Sequence, residues 1–245
     1  MLPVLGIPFY NREDLLIRCL ASIDAAVGHV VIVDNSPEQS VDYDVFNLRQ
    51  RGLVKRAWRG KTIIKHPNAG VAASWNEIIK LFPARWWLLA NNDIEFASGD
   101  LDRMASAMVD GVDAAYGNHG ASWWGVSGEG IRRVGLFDEN FYPAYLEDCD
   151  WNYRADLTGA NRINVEGCAS IHGAGEMTGS CTIMSDPIAR DDCHRTHAGN
   201  FEYYKGKWGG INGEEKFTRP YNVPEVPVAC WWYLPHMRIE QQWRK

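Results

Sequence analysis

Long apolar runs are missing from this 245-residue chain: none reaches the roughly 18 residues that a membrane-crossing helix needs. Met1-Leu2-Pro3-Val4-Leu5-Gly6 lacks a basic opening and reads directly as a strand, so no signal peptide is expected. Cysteine pairing is missing too. The six cysteines, at 19, 149, 168, 181, 193 and 230, form no CxxC pair, which predicts reduced thiols and a cytoplasmic location instead of a disulfide framework. Positive charge is in deficit: 25 Lys and Arg stand against 31 Asp and Glu, a net charge of -6 that speaks against a nucleic-acid-binding face. Pro8 to Arg12 contains no glycine, so the Gly-rich phosphate loop of a sugar nucleotidyltransferase is absent there. No internal repeat or low-complexity tract interrupts the chain.

Hydrophobic residues make up 46% of the sequence, enough to bury a full core. Eleven tryptophans are present, several paired: Trp86-Trp87, Trp123-Trp124 and Trp231-Trp232. Core packing accounts for most of them, although flat aromatic faces also suit carbohydrate.

The first half alternates strand and helix. Val4 to Phe9, Val30 to Val33, Thr62 to Ile64 and Trp86 to Ala90 are apolar strand runs. Between them Leu15, Cys19, Leu20 and Ile23 repeat at helical spacing behind a capping Asn11, and Val71, Trp75, Ile78, Ile79 and Phe82 form a second helical stripe. That alternation predicts βαβ units and a mostly parallel sheet. In such sheets ligands sit beyond the carboxyl ends of the strands. The polar clusters Tyr10-Asn11-Arg12, Asp34-Asn35, His66 to Gly70 and Asn91-Asn92-Asp93 all fall there, which predicts one shared site. Further on, five glycines between Gly117 and Gly130 surround Trp123-Trp124 and predict a mobile loop. Its indoles are either an acceptor platform or a hydrophobic anchor. Glu147 to Leu157 reads as a helix closed by Gly159, and Arg162 to Val165 as a strand before His172. From about 176 the chain is polar and rich in Gly, Pro and Trp, as an extension packed on the core would be.

Two clusters carry candidate chemistry. Asn91-Asn92-Asp93 puts a carboxylate at a strand end, where it can hold a divalent ion against a diphosphate leaving group. Glu147, Asp148 and Asp150 crowd one helix start amid aromatic residues whose desolvation can raise a carboxyl toward general-base duty. Residues about 100° apart on a helix cannot all face one acceptor, and the sequence alone leaves Asp148 and Asp150 both open as the base. His172 is a candidate imidazole ligand completing the metal site. Cys193-His194 with His197 resembles only a partial zinc spacing, and Arg132-Arg133 can meet phosphate or solvent equally well.

In order and spacing, residues 3 to 175 resemble the GT-A glycosyltransferases of family 2, in particular the rhamnosyltransferase-like branch. Ile7-Pro8-Phe9-Tyr10-Asn11-Arg12 and Val31-Ile32-Val33-Asp34-Asn35-Ser36 are similar to the strand ends that hold the nucleotide base and ribose. Asn68-Ala69-Gly70 to Asn76 resembles the Asn-x-Gly segment, and Asn91-Asn92-Asp93 the Asp-x-Asp-type metal motif, with Asn in place of the first Asp. Gly135 to Trp151 is similar to the stretch from Gly-x-Phe-Asp-Glu to Glu-Asp-x-Asp.

The resemblance implies an α/β fold of GT-A type, a Rossmann-like mostly parallel sheet flanked by helices, with a C-terminal extension. Its parts are a catalytic domain over 1–175, divided into a nucleotide-binding half (1–95) and an acceptor and catalytic half (96–175), and the extension over 176–245. It implies an inverting, metal-dependent transfer of a hexosyl or deoxyhexosyl group from a nucleotide-diphosphate sugar to an acceptor hydroxyl. Pro8, Tyr10, Asn11, Asp34, Asn68, Gly70, Asn76 and Asn92 are then donor-binding residues. Asp93 and His172 are metal ligands for Mn2+ or Mg2+, Asp148 is the base with Glu147 beside it, and Trp123 and Trp124 are the acceptor platform. Lys207 or Tyr204, in a tail similar to that of some members, are expected to touch the diphosphate. The acceptor is left open among glycan, lipid-linked saccharide, protein and modified base. The competing readings are an inactive carbohydrate-binding or scaffold protein of the same fold and a sugar nucleotidyltransferase.

Overall fold

The structure is a computed structural model and describes residues 1–37, 41–49, 58–65, 67–173 and 181–229. Its elements run β1 (Leu2–Phe9), α1 (Glu13–Ala21), β2 (Val27–Asp34), β3 (Trp58–Lys65), α2 (Val71–Leu81), β4 (Trp86–Ala90), β5 (Ile94–Glu95) and α3 (Asp100–Ala107). There follow β6 (Ala114–Gly117), β7 (Gly120–Ser127), α4 (Gly128–Val134), α5 (Glu147–Leu157), β8 (Arg162–Asn164), β9 (Ile171–His172), α6 (Cys181–Ser185) and α7 (Pro187–Trp208). Every strand and helix of the first half anticipated from periodicity is present. Asn11, however, does not cap α1: its φ is 54°, and the helix opens behind Arg12 without a side-chain cap. His66, Cys230 and the Trp231-Trp232 pair lie outside the described residues.

Seven strands form one sheet in the order β3-β2-β1-β4-β7-β6-β8. Only β7 runs antiparallel to its neighbours β4 and β6. Alternating side chains of the strands feed two cores. Leu88 and Ala90 pack on one face with Leu5, Ile7 and Ile32, while Trp87 and Leu89 pack on the other with Val31, Val33 and Trp75. That is the signature of a sheet covered by helices on both sides. The result is an α/β fold of GT-A type. Among the described residues no helix is long and apolar enough to cross a membrane.

The glycine-rich stretch around Trp123-Trp124 is not a loop but strand β7. Consecutive strand residues point to opposite faces. Trp123 therefore packs edge-on against Phe96 in one core, and Trp124 sits among Trp75, Phe137 and Trp151 in the other. Both are fully buried. The glycines make room for these rings: a Cβ at Gly117 would lie 1.9 Å from the Trp123 ring, and one at Gly125 would lie 2.7 Å from Met108 Sδ. Neither indole can meet an acceptor.

A third cluster joins α7 to α5, with Phe141, Leu146, Tyr203, Tyr204 and Trp208 packed together. Within it a set of buried charges is closed on itself. Lys207 Nζ lies 2.8 Å from Asp138 and 2.5 Å from Asp150, and Arg154 Nε donates to Asp150 at 2.9 Å. Tyr203 and Trp208 add donors to Asp138 and Asp150. Lys207 is 1% exposed and Tyr204 donates to Glu215, so neither reaches a diphosphate in the site described below.

Candidate active site

The strand order reverses direction between β1 and β4, a switch point where parallel α/β sheets leave a crevice at their carboxyl edge. A cavity of about 340 Å³ opens there. Pro8 and Tyr10 enter it from the end of β1, Asn35 from β2, Asn68 and Gly70 from before α2, and Asn91, Asn92 and Asp93 from β4. Ala121 and Ser122 come from the start of β7, which reaches this edge because it runs the other way. Across the cavity stand Pro143, Ala144, Tyr145, Glu147 and Asp148.

Asp93 and His172 meet through a two-stranded ribbon. β5 and β9 pair antiparallel with Ile94 opposite His172, and Gly173 N donates to Asp93 O at 2.9 Å. This register brings Asp93 Oδ1 and His172 Nε2 to 3.3 Å. Both atoms are buried, and neither has a hydrogen-bond partner. The other atoms of the pair are occupied: Asp93 Oδ2 accepts from Cys181 N at 2.7 Å, and His172 Nδ1 lies 3.4 Å from Ser122 Oγ. A carboxylate oxygen and an imidazole nitrogen, buried, convergent and unsatisfied, form a donor set that suits a hard divalent cation. The residues fit a metal.

The opposite wall holds the carboxyls. Glu147 opens α5 and is nearly fully buried; burial first, and then the neighbouring Asp148 charge, push its carboxyl well above the usual range. Its Oε2 has no partner. Asp148 is raised as well, again chiefly by burial and in spite of the hydrogen bond from Cys149 N. Asp150 belongs to different surroundings. Burial alone would raise it, but Lys207 and Arg154 hold it below the usual range, and it faces the α7 cluster. Of the two acids that the sequence left open as the base, only Asp148 lines the cavity.

Several expected donor-binding residues are instead structural. Asp34 turns under its own loop: its two carboxylate oxygens accept from Ser36 N at 3.0 Å and Val41 N at 2.9 Å, and Asn35 lines the cavity in its place. The same Asx chemistry that makes a sharp turn consumes the side chain. Asn76 clasps the backbone of Phe137 in both directions, at 2.9 Å each way, and stays out of the cavity. Asn11 donates its backbone N–H to Ser36 Oγ at 2.8 Å and its Nδ2 to Asp186 Oδ2 at 3.1 Å, tying the end of β1 to the chain between α6 and α7. Asn68 does line the cavity, with its Oδ1 accepting Gly70 N at 3.0 Å. Gly70 must be glycine: its φ is 87°, and a Cβ would lie 2.8 Å from Pro143 O. Asn92 lines the cavity with its Oδ1 taken by Thr182 Oγ1 at 3.0 Å and its Nδ2 unpartnered.

Other wall residues escaped sequence reading: Asn35, Ser122, Tyr145, Thr182, Ile183 and Asp192. Only Asn35 carried a signal, as part of a strand-end polar pair. Arg133 pairs with Asp113 and Arg132 with Glu129 on α4, away from the cavity. Among the described residues there is no group of three or more His, Cys, Asp or Glu that could hold a metal. The cavity wall carries four carboxylates and one imidazole, with no Lys or Arg among its described residues.

Comparison with known proteins bears on family and fold. Residues 5–147 match the glycosyl transferase family 2 pattern, more than half of the chain. No curated protein matches the chain in sequence. Among solved structures, the mannosyltransferase PcManGT from Pyrobaculum calidifontis in complex with GDP-Man and Mn2+ is similar, with a TM-score of 0.51 and 15% identity over 67% of this chain and 55% of that one. S. aureus TarS gives a TM-score of 0.52 at 18% identity over 71% of this chain and 36% of its own. Its residues 1–349 in complex with UDP-GlcNAc give 0.51 at 14% identity, over 74% of this chain and 60% of that one. The chain thus spans at most about 60% of the length of these structures, and the likeness is one of fold. The family match, over more than half of the chain, shows that it belongs to glycosyl transferase family 2.

Proposed function

We propose that the chain is an inverting, metal-dependent glycosyltransferase that moves a hexosyl or deoxyhexosyl group from a nucleotide-diphosphate sugar to an acceptor hydroxyl. The observation that carries this reading is the unsatisfied pair Asp93 Oδ1 and His172 Nε2, which faces a cavity without a lysine or arginine on its described wall. A diphosphate brings negative charge to a wall whose described residues are already acidic, and a divalent cation held there would offset that charge. Asp93 and His172 would hold Mn2+ or Mg2+, which supplies the positive charge that steadies the leaving diphosphate. PcManGT, with GDP-Man and Mn2+, and TarS, with UDP-GlcNAc, support the ligand class by analogy.

The chain's own residues divide the remaining work. Tyr10, Asn35, Asn68 and Gly70 line the end of the cavity nearest β1 and β2, where the nucleoside belongs. Asp148 takes the proton from the acceptor hydroxyl as that oxygen bonds to the anomeric carbon. The bond from that carbon to the diphosphate oxygen breaks on the opposite side, and its electron pair leaves with the diphosphate. Displacement from the rear inverts the anomeric centre. A carboxyl raised by burial is a stronger base than an ordinary one and suits this task near neutral pH. Glu147, beside it with an unpartnered Oε2, orients the hydroxyl. The reading divides the motif-bearing part into a nucleotide half, 1–95, and an acceptor half, 96–175, followed by an extension over 176–245 whose described helix α7 packs on α5. The scattered cysteines, with no CxxC pair, suit a cytoplasmic setting.

An inactive binding protein would have no use for two unsatisfied metal-ligand atoms and a raised carboxyl in one cavity. The test is a thermal-shift screen of UDP-, GDP- and dTDP-sugars with and without Mn2+, followed by NMR of the product anomer. The expected result is stabilisation by one donor family only when the metal is present, and a product of opposite configuration. Donor binding that survives saturating chelator overturns the metal role, and a retained configuration overturns the mechanism.

A further inference from the structure

The carboxyls on the acceptor wall are preceded by a strained turn. Tyr145 and Leu146 both adopt positive φ, 77° and 75°, immediately before α5. Two consecutive non-glycine residues in the left-handed region cost about 1–2 kcal/mol each and persist only where the surroundings hold them. Here the surroundings do. Asn200 of α7, fully buried, donates from Nδ2 to Ala144 O at 3.0 Å and to Tyr145 O at 3.3 Å, and accepts from Tyr142 N at 3.3 Å. Val71 N at the start of α2 donates to Pro143 O at 2.8 Å. Leu146 is anchored in the α7 cluster.

The two side chains part company at this turn. Leu146 goes inward, whereas Tyr145 remains 38% exposed and lines the cavity two residues before Glu147. His197 meets the Tyr145 ring edge-on at 5.6 Å and is itself backed by Phe201 at 4.9 Å, which steadies the ring. An exposed aromatic on a strained, splinted turn beside a raised carboxyl is a built feature; a surface tyrosine needs none of this support.

We propose that Tyr145 is the platform on which the acceptor lies, and that the acceptor offers an uncharged pyranose ring at this point. The inference rests on the glycosyl-transfer reading above. A pyranose presents a patch of C–H bonds that packs on an aromatic face and hydroxyls around its rim that hydrogen-bond to carboxyl groups. Glu147 supplies a nine-tenths-buried, unpartnered oxygen for one of those hydroxyls. An acceptor bearing phosphate or carboxylate at this ring meets Asp148 and Asp192 with no lysine or arginine on the described wall, so charge selects against it. An extended polyol offers the hydroxyls without the flat face and lacks the stacking.

The test uses the donor found by thermal shift, Mn2+, and a probe panel: methyl glycopyranosides of glucose, galactose, mannose, N-acetylglucosamine and rhamnose, the matching alditols, and methyl glucuronide. The chain should use at least one neutral glycoside about tenfold better in kcat/KM than its alditol or the glucuronide. Tyr145→Ala should raise the KM for that glycoside about tenfold while the donor KM holds, and Tyr145→Phe should restore it. Tyr145→Leu keeps bulk without a flat face and should behave as Ala does, which separates stacking from folding. The proposal is overturned by equal use of glycoside and alditol, by Ala or Leu variants that keep the preference, by a Phe variant that loses it, or by a chain that binds donor yet uses no neutral glycoside. A chain that binds no donor at all fails the glycosyl-transfer reading instead.

Discussion

Two buried polar groups in this molecule look alike from the sequence and differ in one physical respect. The Lys207, Arg154, Asp138 and Asp150 cluster is balanced in charge, and its members hold one another. The Asp93 and His172 pair, with Asp93 buried and His172 partly exposed, leaves one buried oxygen and one buried nitrogen without a hydrogen-bond partner. A buried polar group normally finds a hydrogen bond, because leaving it bare costs about 1–3 kcal/mol. The first cluster therefore lowers the energy of the folded chain as it stands, and the second lowers it only when something binds. Burial of charge is not what marks the site here; the missing partner is.

The most severe test of that contrast is Asp93→Asn. The amide keeps an oxygen for the Cys181 N–H and removes the charge a cation requires. Metal-dependent transfer should fall by several kcal/mol, on the order of 10³-fold, while the melting temperature without metal stays within a few degrees. Calorimetry and a transfer assay on one preparation measure both. A large loss of stability would move Asp93 into the structural class with Lys207.

Lys207→Met should behave the opposite way. It strands Asp138 and Asp150 without their shared cation, and breaking a buried ion pair costs about 3–5 kcal/mol. Urea denaturation should show the loss. Nucleotide-sugar binding at temperatures where the variant is still folded should be close to normal, since Lys207 is remote from the donor end of the cavity.

The same contrast separates two acids on one helix. Asp148→Asn should lower transfer on the order of 10²–10⁴-fold with stability nearly kept, because its carboxyl is raised and poorly supported. Asp150→Asn should cost stability first, because Lys207 and Arg154 hold that carboxyl below the usual range and lose their partner. Reversed phenotypes, measured by denaturation and transfer side by side, would exchange the two assignments.

These acids also show how much the sequence could say. The donor half was legible because strand and helix periods are local, and each strand ends in its own turn residues, as Val30 to Asn35 does. Asp148 and Asp150 share a local pattern; Arg154 at i+4 marks Asp150 within the helix, but Lys207 and Trp208, which complete its surroundings, are distant in sequence. Trp123-Trp124 was misread for a related reason. Its glycines fit a loop by composition, but they are there because the Trp123 ring and Met108 occupy the space where Cβ atoms would stand. Asp34 was read as a ligand from a turn signature that in fact describes the hydrogen bonds consuming it. Tyr145 carried no signal at all, since a positive φ outside glycine has no sequence mark.

The smallest expected effect is on Glu147, and its sign is diagnostic. Its carboxyl is raised by burial and by the Asp148 charge, so the folded chain holds that proton at pH values where the unfolded chain has released it. Stability depends on pH as the difference in bound protons between unfolded and folded states, which is negative here. Glu147 therefore contributes stability that is intact below the ordinary carboxylate value and is lost as pH rises through the raised one. Glu147→Gln cannot ionise and escapes that loss. It should melt close to the parent at pH values below the ordinary carboxylate range and above the parent once pH has risen through the raised value, as differential scanning calorimetry across pH would show. Transfer should fall in the same variant, because the amide cannot match the carboxyl in orienting the acceptor hydroxyl. A gain in stability coupled to a loss of activity is what a residue kept for function against the interest of the fold must show. A Gln variant less stable than the parent above the raised value would place Glu147 with Asp150, among the acids that hold the molecule together.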